Sequence, residues 1–157
     1  GQGYNAYTPL QLANALAALV NDGKLFRPHV VKHVVDSRTG ERRAVEPEPL
    51  REIPLRDANL KAVLDAMVDV NTSGTGKRAF KGAPYRVGGK TGTAHKLEGR
   101  GYTNKYVSSF VGFAPASDPR VIVVASQSPI TSFADQMAHK QPVNFATAMP
   151  WAINRSR

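Results

Sequence analysis

The sequence predicts an α+β fold in which helices pack on a short antiparallel sheet. Two segments in the first half of the chain, near residues 9–21 and 57–71, carry apolar residues at helical spacing. After Tyr85 the pattern changes to three strand-like runs joined by short loops, which is typical of an antiparallel meander. At 157 residues, with 41% hydrophobic and 21% charged residues, the chain is long enough for one domain with a sizeable core.

The first predicted helix begins after Thr8. The Thr8 hydroxyl can cap the helix, Pro9 suits its first turn, and Gly23 can end it. Leucine, alanine and valine residues are spread around this segment. We therefore expect the helix to be buried on more than one side.

The next segments predict a hairpin, a connector and a second helix. The valine-rich run from His29 to Asp36 precedes the turn sequence Arg38-Thr39-Gly40-Glu41 and predicts a short strand and hairpin. Glu46-Pro47-Glu48-Pro49 is typical of an exposed connector. The second helix should begin with Asp57 as its N-cap. Its predicted apolar face consists of Leu60, Val63, Leu64, Met67 and Val68.

Three strands are predicted in the second half of the chain: Tyr85 to His95, Tyr106 to Ala114 and Val121 to Ala125. Beyond them, Ser128-Pro129 could cap a short helix. The apolar face of that helix would carry Ile130, Phe133, Ala134 and Met137.

The net charge of +9 is concentrated in one segment. Residues 77–105 carry eight Lys or Arg and one Asp or Glu, whereas residues 1–76 carry nine of each kind. The electrostatic field of this positive charge attracts an anion, but it does not distinguish a carboxylate from a phosphate backbone. A small basic module that binds nucleic acid or another polyanion is therefore one open alternative. Tyr85, Tyr102 and Tyr106 interleave with the cations there, as stacking surfaces would.

Neither a metal nor a cofactor is expected. The chain has no cysteine, which excludes a disulfide framework and a thiolate metal site. His29 and His33 lie four residues apart, but in a strand-like run without an H-E-x-x-H pattern.

The segment Lys90-Thr91-Gly92-Thr93-Ala94 points most directly to a function. A lysine, a hydroxyl and a glycine in one exposed strand can bind a carboxylate and line an acyl-transfer site. Gly88, Gly89 and Gly92 leave room for another backbone or a ligand to approach. A K-T-G tripeptide also arises by chance in chains of this length, so its context decides its meaning.

That context resembles the class B penicillin-binding proteins. The motifs that carry the resemblance are Gly1-Gln2-Gly3-Tyr4, Thr8-Pro9-Leu10-Gln11-Leu12-Ala13, Gly74-Thr75-Gly76, Gly89 to Ala94, and Phe110-Val111-Gly112-Phe113-Ala114-Pro115. Residues 1–125 look like the C-terminal part of the transpeptidase domain, and residues 126–157 form a divergent tail of unknown role. The resemblance implies part of a penicillin-binding/serine β-lactamase-like transpeptidase fold.

The resemblance also implies peptidoglycan D,D-transpeptidase chemistry of the septal or elongation type. In that family the serine of S-x-x-K attacks a D-Ala-D-Ala peptide to form a serine ester, and an S-x-N motif assists proton movement. No serine here has a lysine three residues later, and no Ser-x-Asn occurs. We therefore expect the chain to be inactive alone.

Only the K-T-G motif carries family roles over to this sequence. Lys90 would place positive charge at the substrate's terminal carboxylate, and Thr91 and Thr93 would donate hydrogen bonds to it. The Thr93 backbone N–H resembles an oxyanion-hole donor, and Gly92 keeps the strand accessible. Lys90, Thr91, Gly92 and Thr93 are therefore the predicted catalytic residues.

The partners implied are a peptidoglycan stem peptide or a β-lactam in the complete protein, together with the cell-wall synthesis machinery, and not nucleic acid. Complete family members are anchored in the inner membrane and act on its periplasmic side. These residues contain neither an export signal nor a membrane-spanning run.

Overall fold

The computed structural model describes residues 6–99, 101–130 and 144–146. These residues form two helices, four short strands in the first half of the chain, and four further strands after α2. In chain order they are α1 (Pro9–Val20), β1 (Lys24–Phe26), β2 (His33–Val35), β3 (Arg42–Ala44), β4 (Pro49–Glu52), α2 (Asp57–Thr72), β5 (Gly88–Glu98), β6 (Gly101–Ala114), β7 (Val121–Ile130) and β8 (Asn144–Ala146).

The main sheet has the antiparallel order β5-β6-β7-β8, and two small sheets pair β1 with β4 and β2 with β3. The predicted α+β class and the meander are confirmed. Two of the three predicted strands are longer than predicted, because β6 begins at Gly101 and β7 continues to Ile130. Strand β5 has the predicted length but lies three residues later than predicted, at Gly88–Glu98. The predicted helix cap at Ser128-Pro129 is wrong, since both residues lie in β7, where Ile130 pairs with Tyr106. Phe133, Ala134 and Met137 lie outside the described residues.

Helix α1 begins as the sequence predicts. The Thr8 hydroxyl accepts a hydrogen bond from Gln11 N, and the Gln11 side chain accepts one from Thr8 N, which completes a capping box. The helix ends at Val20, and the chain turns through positive φ angles of 56° at Asp22 and 88° at Gly23.

The core lies between α1 and the main sheet. Ala13, Leu16, Ala17 and Val20 of α1 pack against three buried side chains of β6 and β7, namely Phe113, Ile122 and Val124. Ala18, about 100° around the helix from Ala17, is also buried. The expected burial on more than one side is confirmed.

Helix α2 differs from its prediction at two positions. Arg56 occupies the N-cap position without a side-chain hydrogen bond, and Asp57 is the first helical residue. At this position the Asp57 carboxylate still interacts favourably with the positive end of the helix dipole, although Asp57 is not the N-cap residue. Val63, predicted on the apolar face, is 47% exposed, whereas Leu60 and Val68 are buried.

The first half of the chain contains more strand than predicted. The predicted hairpin is present, but its strands, His33–Val35 and Arg42–Ala44, are only three residues long. The Asp36 carboxylate accepts backbone hydrogen bonds from Arg38 and Thr39 at its turn, and these bonds lower the pKa of Asp36. The predicted connector ends in a strand, since Pro49 begins β4.

Candidate active site

The predicted site residues lie on β5, which pairs only with β6 among the described strands and so forms an edge of the sheet. Lys90 pairs with Val111 and Thr91 pairs with Phe110. Directly opposed residues share a face, so Lys90 and Gly92 lie on the α1 face, and Thr91 and Thr93 lie on the opposite face. The edge strand therefore carries its cation and its hydroxyls on different faces.

The Lys90 ammonium is exposed and has no acidic partner among the described residues. Its Nζ donates a hydrogen bond to the Thr91 carbonyl oxygen at 2.7 Å. This contact holds the ammonium beside the strand without neutralising its charge. An anion that reaches the strand edge therefore meets a full positive charge.

The two threonines differ in their surroundings. Thr93 is exposed, whereas the Thr91 hydroxyl lies 2.8 Å from the Thr75 hydroxyl. A hydroxyl donates one hydrogen bond and accepts two, so Thr91 can still donate to a ligand when Thr75 donates to it. Either hydroxyl can be the donor in this pair, and the arrangement in which Thr75 donates leaves the Thr91 hydrogen for a ligand.

The glycines of β5 make room for side chains of β6. A Cβ atom at Gly88 would lie 2.2 Å from the Phe113 ring, and one at Gly89 would lie 2.3 Å from the Phe110 ring. At Gly92 it would lie 2.6 Å from Ser109 Oγ. The expected space for a ligand at these glycines is therefore occupied by the neighbouring strand.

The end of α2 and the segment after it contact the residue before β5 and strand β6. Asn71 Nδ2 donates a buried hydrogen bond of 2.8 Å to the Val87 carbonyl oxygen, and Asn71 Oδ1 lies against Gly76. The rings of Phe80 and Phe110 lie 5.4 Å apart. No sequence signal indicated Asn71 as a site residue. Thr75 was indicated only as part of the Gly74-Thr75-Gly76 motif that resembles the family.

At the far end of β5 two lysines share one acidic partner. Lys96 and Lys105 form ion pairs with Glu98 at 3.1 and 3.2 Å, and their ammonium groups hold the pKa of the Glu98 carboxyl below its usual value. His95 lies beside Tyr106, with ring centroids 4.4 Å apart, and His95 Nδ1 lies 3.0 Å from the Thr103 carbonyl oxygen. Lys90, nearer the start of the strand, differs from these two lysines in having no acidic partner among the described residues.

Among the described residues, no group of three His, Cys, Asp or Glu side chains could hold a metal ion. None of the described helices has the length and apolar character needed to cross a membrane.

A helix-packed antiparallel sheet with a K-T-G edge strand belongs to the class of α+β penicillin-binding domains. A family model described as "Penicillin binding protein transpeptidase domain" matches residues 1–144. The chain therefore belongs to the penicillin-binding protein transpeptidase family.

Two curated relatives show the extent of the match. The stage V sporulation protein D of Bacillus subtilis is 38% identical over 131 residues, which are 82% of this chain and 20% of that protein. A probable peptidoglycan D,D-transpeptidase, PenA of Neisseria flavescens, is 41% identical over 118 residues, which are 74% of this chain and 26% of that protein. The chain thus spans about a fifth to a quarter of the length of these relatives.

Solved structures agree with this assignment. PBP2 of Pseudomonas aeruginosa matches with a TM-score of 0.66 at 33% identity, over 88% of this chain and 29% of that chain. The transpeptidase domain of penicillin-binding protein 3 from Burkholderia pseudomallei matches with a TM-score of 0.59 at 34% identity, over 82% of this chain and 37% of that chain.

Proposed function

We propose that this chain supplies the substrate-carboxylate and oxyanion side of a peptidoglycan D,D-transpeptidase, and that it carries no nucleophile of its own. The observation that carries the proposal is the exposed Lys90 ammonium, which lies on an edge strand without an acidic partner among the described residues. The family membership supplies the substrate class. We assign residues 1–125 to the transpeptidase domain and residues 126–157 to a tail on the same resemblance; strand β7 continues five residues past this division, to Ile130.

In this proposal Lys90 attracts the terminal carboxylate of the stem peptide. At 4 Å the attraction is about 1 kcal/mol in bulk water and about 4 kcal/mol at an effective dielectric constant of 20, so shielding from water determines its strength. The Thr91 and Thr93 hydroxyls, on the other face of the strand, donate hydrogen bonds to the same carboxylate when it lies at the edge of β5, where the Lys90 ammonium folds back to the Thr91 carbonyl oxygen. The Thr93 backbone N–H stabilises the oxyanion on this edge strand, while Gly92 makes room for the Ser109 side chain of β6.

The covalent step requires a serine from outside this chain. Its Oγ attacks the carbonyl carbon of the D-Ala-D-Ala bond, the ester forms as that peptide bond breaks, and the terminal D-Ala leaves with the proton. An amine of a second peptide then attacks the ester carbonyl carbon. The new amide bond forms as the ester bond breaks, and the serine Oγ takes up the proton of the amine. We place the complete protein on the periplasmic side of the inner membrane, with the cell-wall synthesis machinery as its partner.

Labelling with a fluorescent penicillin tests the absence of a nucleophile. We expect the purified chain to take up no label that survives denaturation. The N-terminal part of the transpeptidase domain, supplied in trans with its S-x-x-K and S-x-N motifs, should restore labelling on that partner polypeptide. A denaturation-resistant label on the present chain would contradict the proposal.

Thr75→Val should slow labelling in the complemented mixture by about tenfold, because Thr91 loses the hydroxyl that orients it. Thr75→Ser keeps the hydroxyl and should retain most of the rate. The measurement is the second-order rate of label uptake for both variants. Equal losses in the two variants would indicate a role of Thr75 in packing and contradict its role in orienting Thr91.

A further inference from the structure

A groove lies beside the start of β5, outside the K-T-G segment. It has a volume of about 400 Å³, which is within the range of pockets that hold small ligands. The end of α2 and the following loop form its walls. Its lining includes Thr72, Lys77, Phe80, Lys81, Tyr85 and Arg86.

The groove is positively charged. Lys77, Lys81 and Arg86 are all exposed, and none of them forms an ion pair within the part of the chain that the structure describes. The sequence contains no acidic residue between Asp69 and Glu98. The charge of these three cations is therefore available to a ligand.

The groove is connected to the candidate active site. Phe80, which lines the groove, packs against Phe110 with the two rings tilted, and Phe110 pairs with Thr91 across the sheet. Val87 also lines the groove and precedes Lys90 by three residues, a distance of about 10 Å along a strand. A peptide of a few residues can span the two places.

We propose that this groove binds an acidic peptide, namely a second stem peptide of the cross-linking reaction, through its carboxylates. The inference rests on the proposed function, because cross-linking joins two peptides. Lysine ammonium groups suit single carboxylates, and Arg86 adds a planar donor pair.

The aromatic residues argue for a peptide over nucleic acid. Single-stranded nucleic acid needs successive open rings on which its bases stack. The Phe80 ring already packs on Phe110, and the Tyr106 ring lies against His95. Of the two aromatic residues that line the groove, Phe80 and Tyr85, Tyr85 is the one whose ring could stack on a base, since it is 57% exposed.

Calorimetric titration of the purified chain tests the inference. The probe is the pentapeptide Ala-Glu-Ala-Glu-Ala with both termini blocked, and its comparison is the same peptide with glutamine in place of glutamate. We expect binding of the acidic peptide alone. Lys77→Gln combined with Lys81→Gln should weaken it by about tenfold or more, since two charge contacts are lost.

The matched control is Lys24→Gln combined with Lys32→Gln, which removes the same charge from exposed positions outside the groove. This control should change the affinity by less than about twofold. Equal weakening by both double variants, or no binding of the acidic peptide, would overturn the inference. Binding of an oligothymidylate that depends on Lys77 and Lys81, in place of peptide binding, would also overturn it.

Penicillin labelling of the complemented mixture separates this inference from the proposed function. Labelling without peptide binding overturns the groove inference alone. Peptide binding that depends on Lys77 and Lys81, found without labelling, would contradict the proposed function and the identification of the ligand as a stem peptide, while the groove would stand as a site for an acidic peptide.

Discussion

Lys90→Ala should abolish the penicillin labelling that the chain supports when the missing part of the domain is supplied in trans. The variant removes the positive charge that we assign to the ligand carboxylate. Loss of one such electrostatic group from an active site slows the reaction by about 10² to 10³. The rate of label uptake at fixed penicillin concentration measures this loss directly.

Lys96→Ala is the matched control for Lys90→Ala. Both lysines lie on β5, but Lys96 forms an ion pair with Glu98, whereas Lys90 has no acidic partner among the described residues. We expect the Lys96 variant to label at nearly the normal rate. Undiminished labelling of Lys90→Ala would show that another group binds the carboxylate.

The elements with local signals could be predicted from the sequence. Thr8, Pro9 and the apolar spacing after them predict α1, because capping and helical periodicity act over a few residues. The K-T-G segment was placed correctly in a strand for a similar reason. The predicted end of β7 was wrong, because pairing with β6 extends the strand through a local Ser-Pro signal for a helix start.

Contacts between distant segments could not be predicted in this way. Strands β1 and β4 are three and four residues long, too short to show alternation, and each exists through pairing with the other. The hydrogen bond from Asn71 to Val87 and the contact between Thr75 and Thr91 each join residues sixteen positions apart. Nothing in either segment alone specifies its partner.

The glycines of β5 show the same limit at the site itself. The sequence indicates that side chains are absent at Gly88 and Gly89, but not which group occupies the space. The structure places the rings of Phe113 and Phe110 there. The packing of β5 against β6 therefore requires these glycines. The site depends on them because they allow β5, which carries the K-T-G segment, to lie in this position.

Gly88→Ala should destabilise the chain by about 3 kcal/mol, the upper end of the cost of inserting an atom into a packed core. The new Cβ would lie 2.2, 2.4 and 2.9 Å from three atoms of the Phe113 ring. Phe113 is 2% exposed and packs against α1, so its ring cannot move without displacing the helix. For a chain of this size the loss corresponds to a fall of about 6 to 12 °C in Tm, measured by thermal unfolding.

Gly101→Ala is the control, because no atom lies within 4 Å of a Cβ there and the backbone has no positive φ. We expect its Tm to stay within about 2 °C of the parent chain, as for a neutral surface substitution.

Gly88→Ala combined with Phe113→Leu replaces the ring with a smaller side chain and should recover part of the loss. Recovery would identify the steric contact as the cause, whereas an unchanged Tm in Gly88→Ala would show that Phe113 has space to move. Because Gly88 precedes Lys90 by two residues on β5, we also expect the variant to label poorly in the complemented mixture.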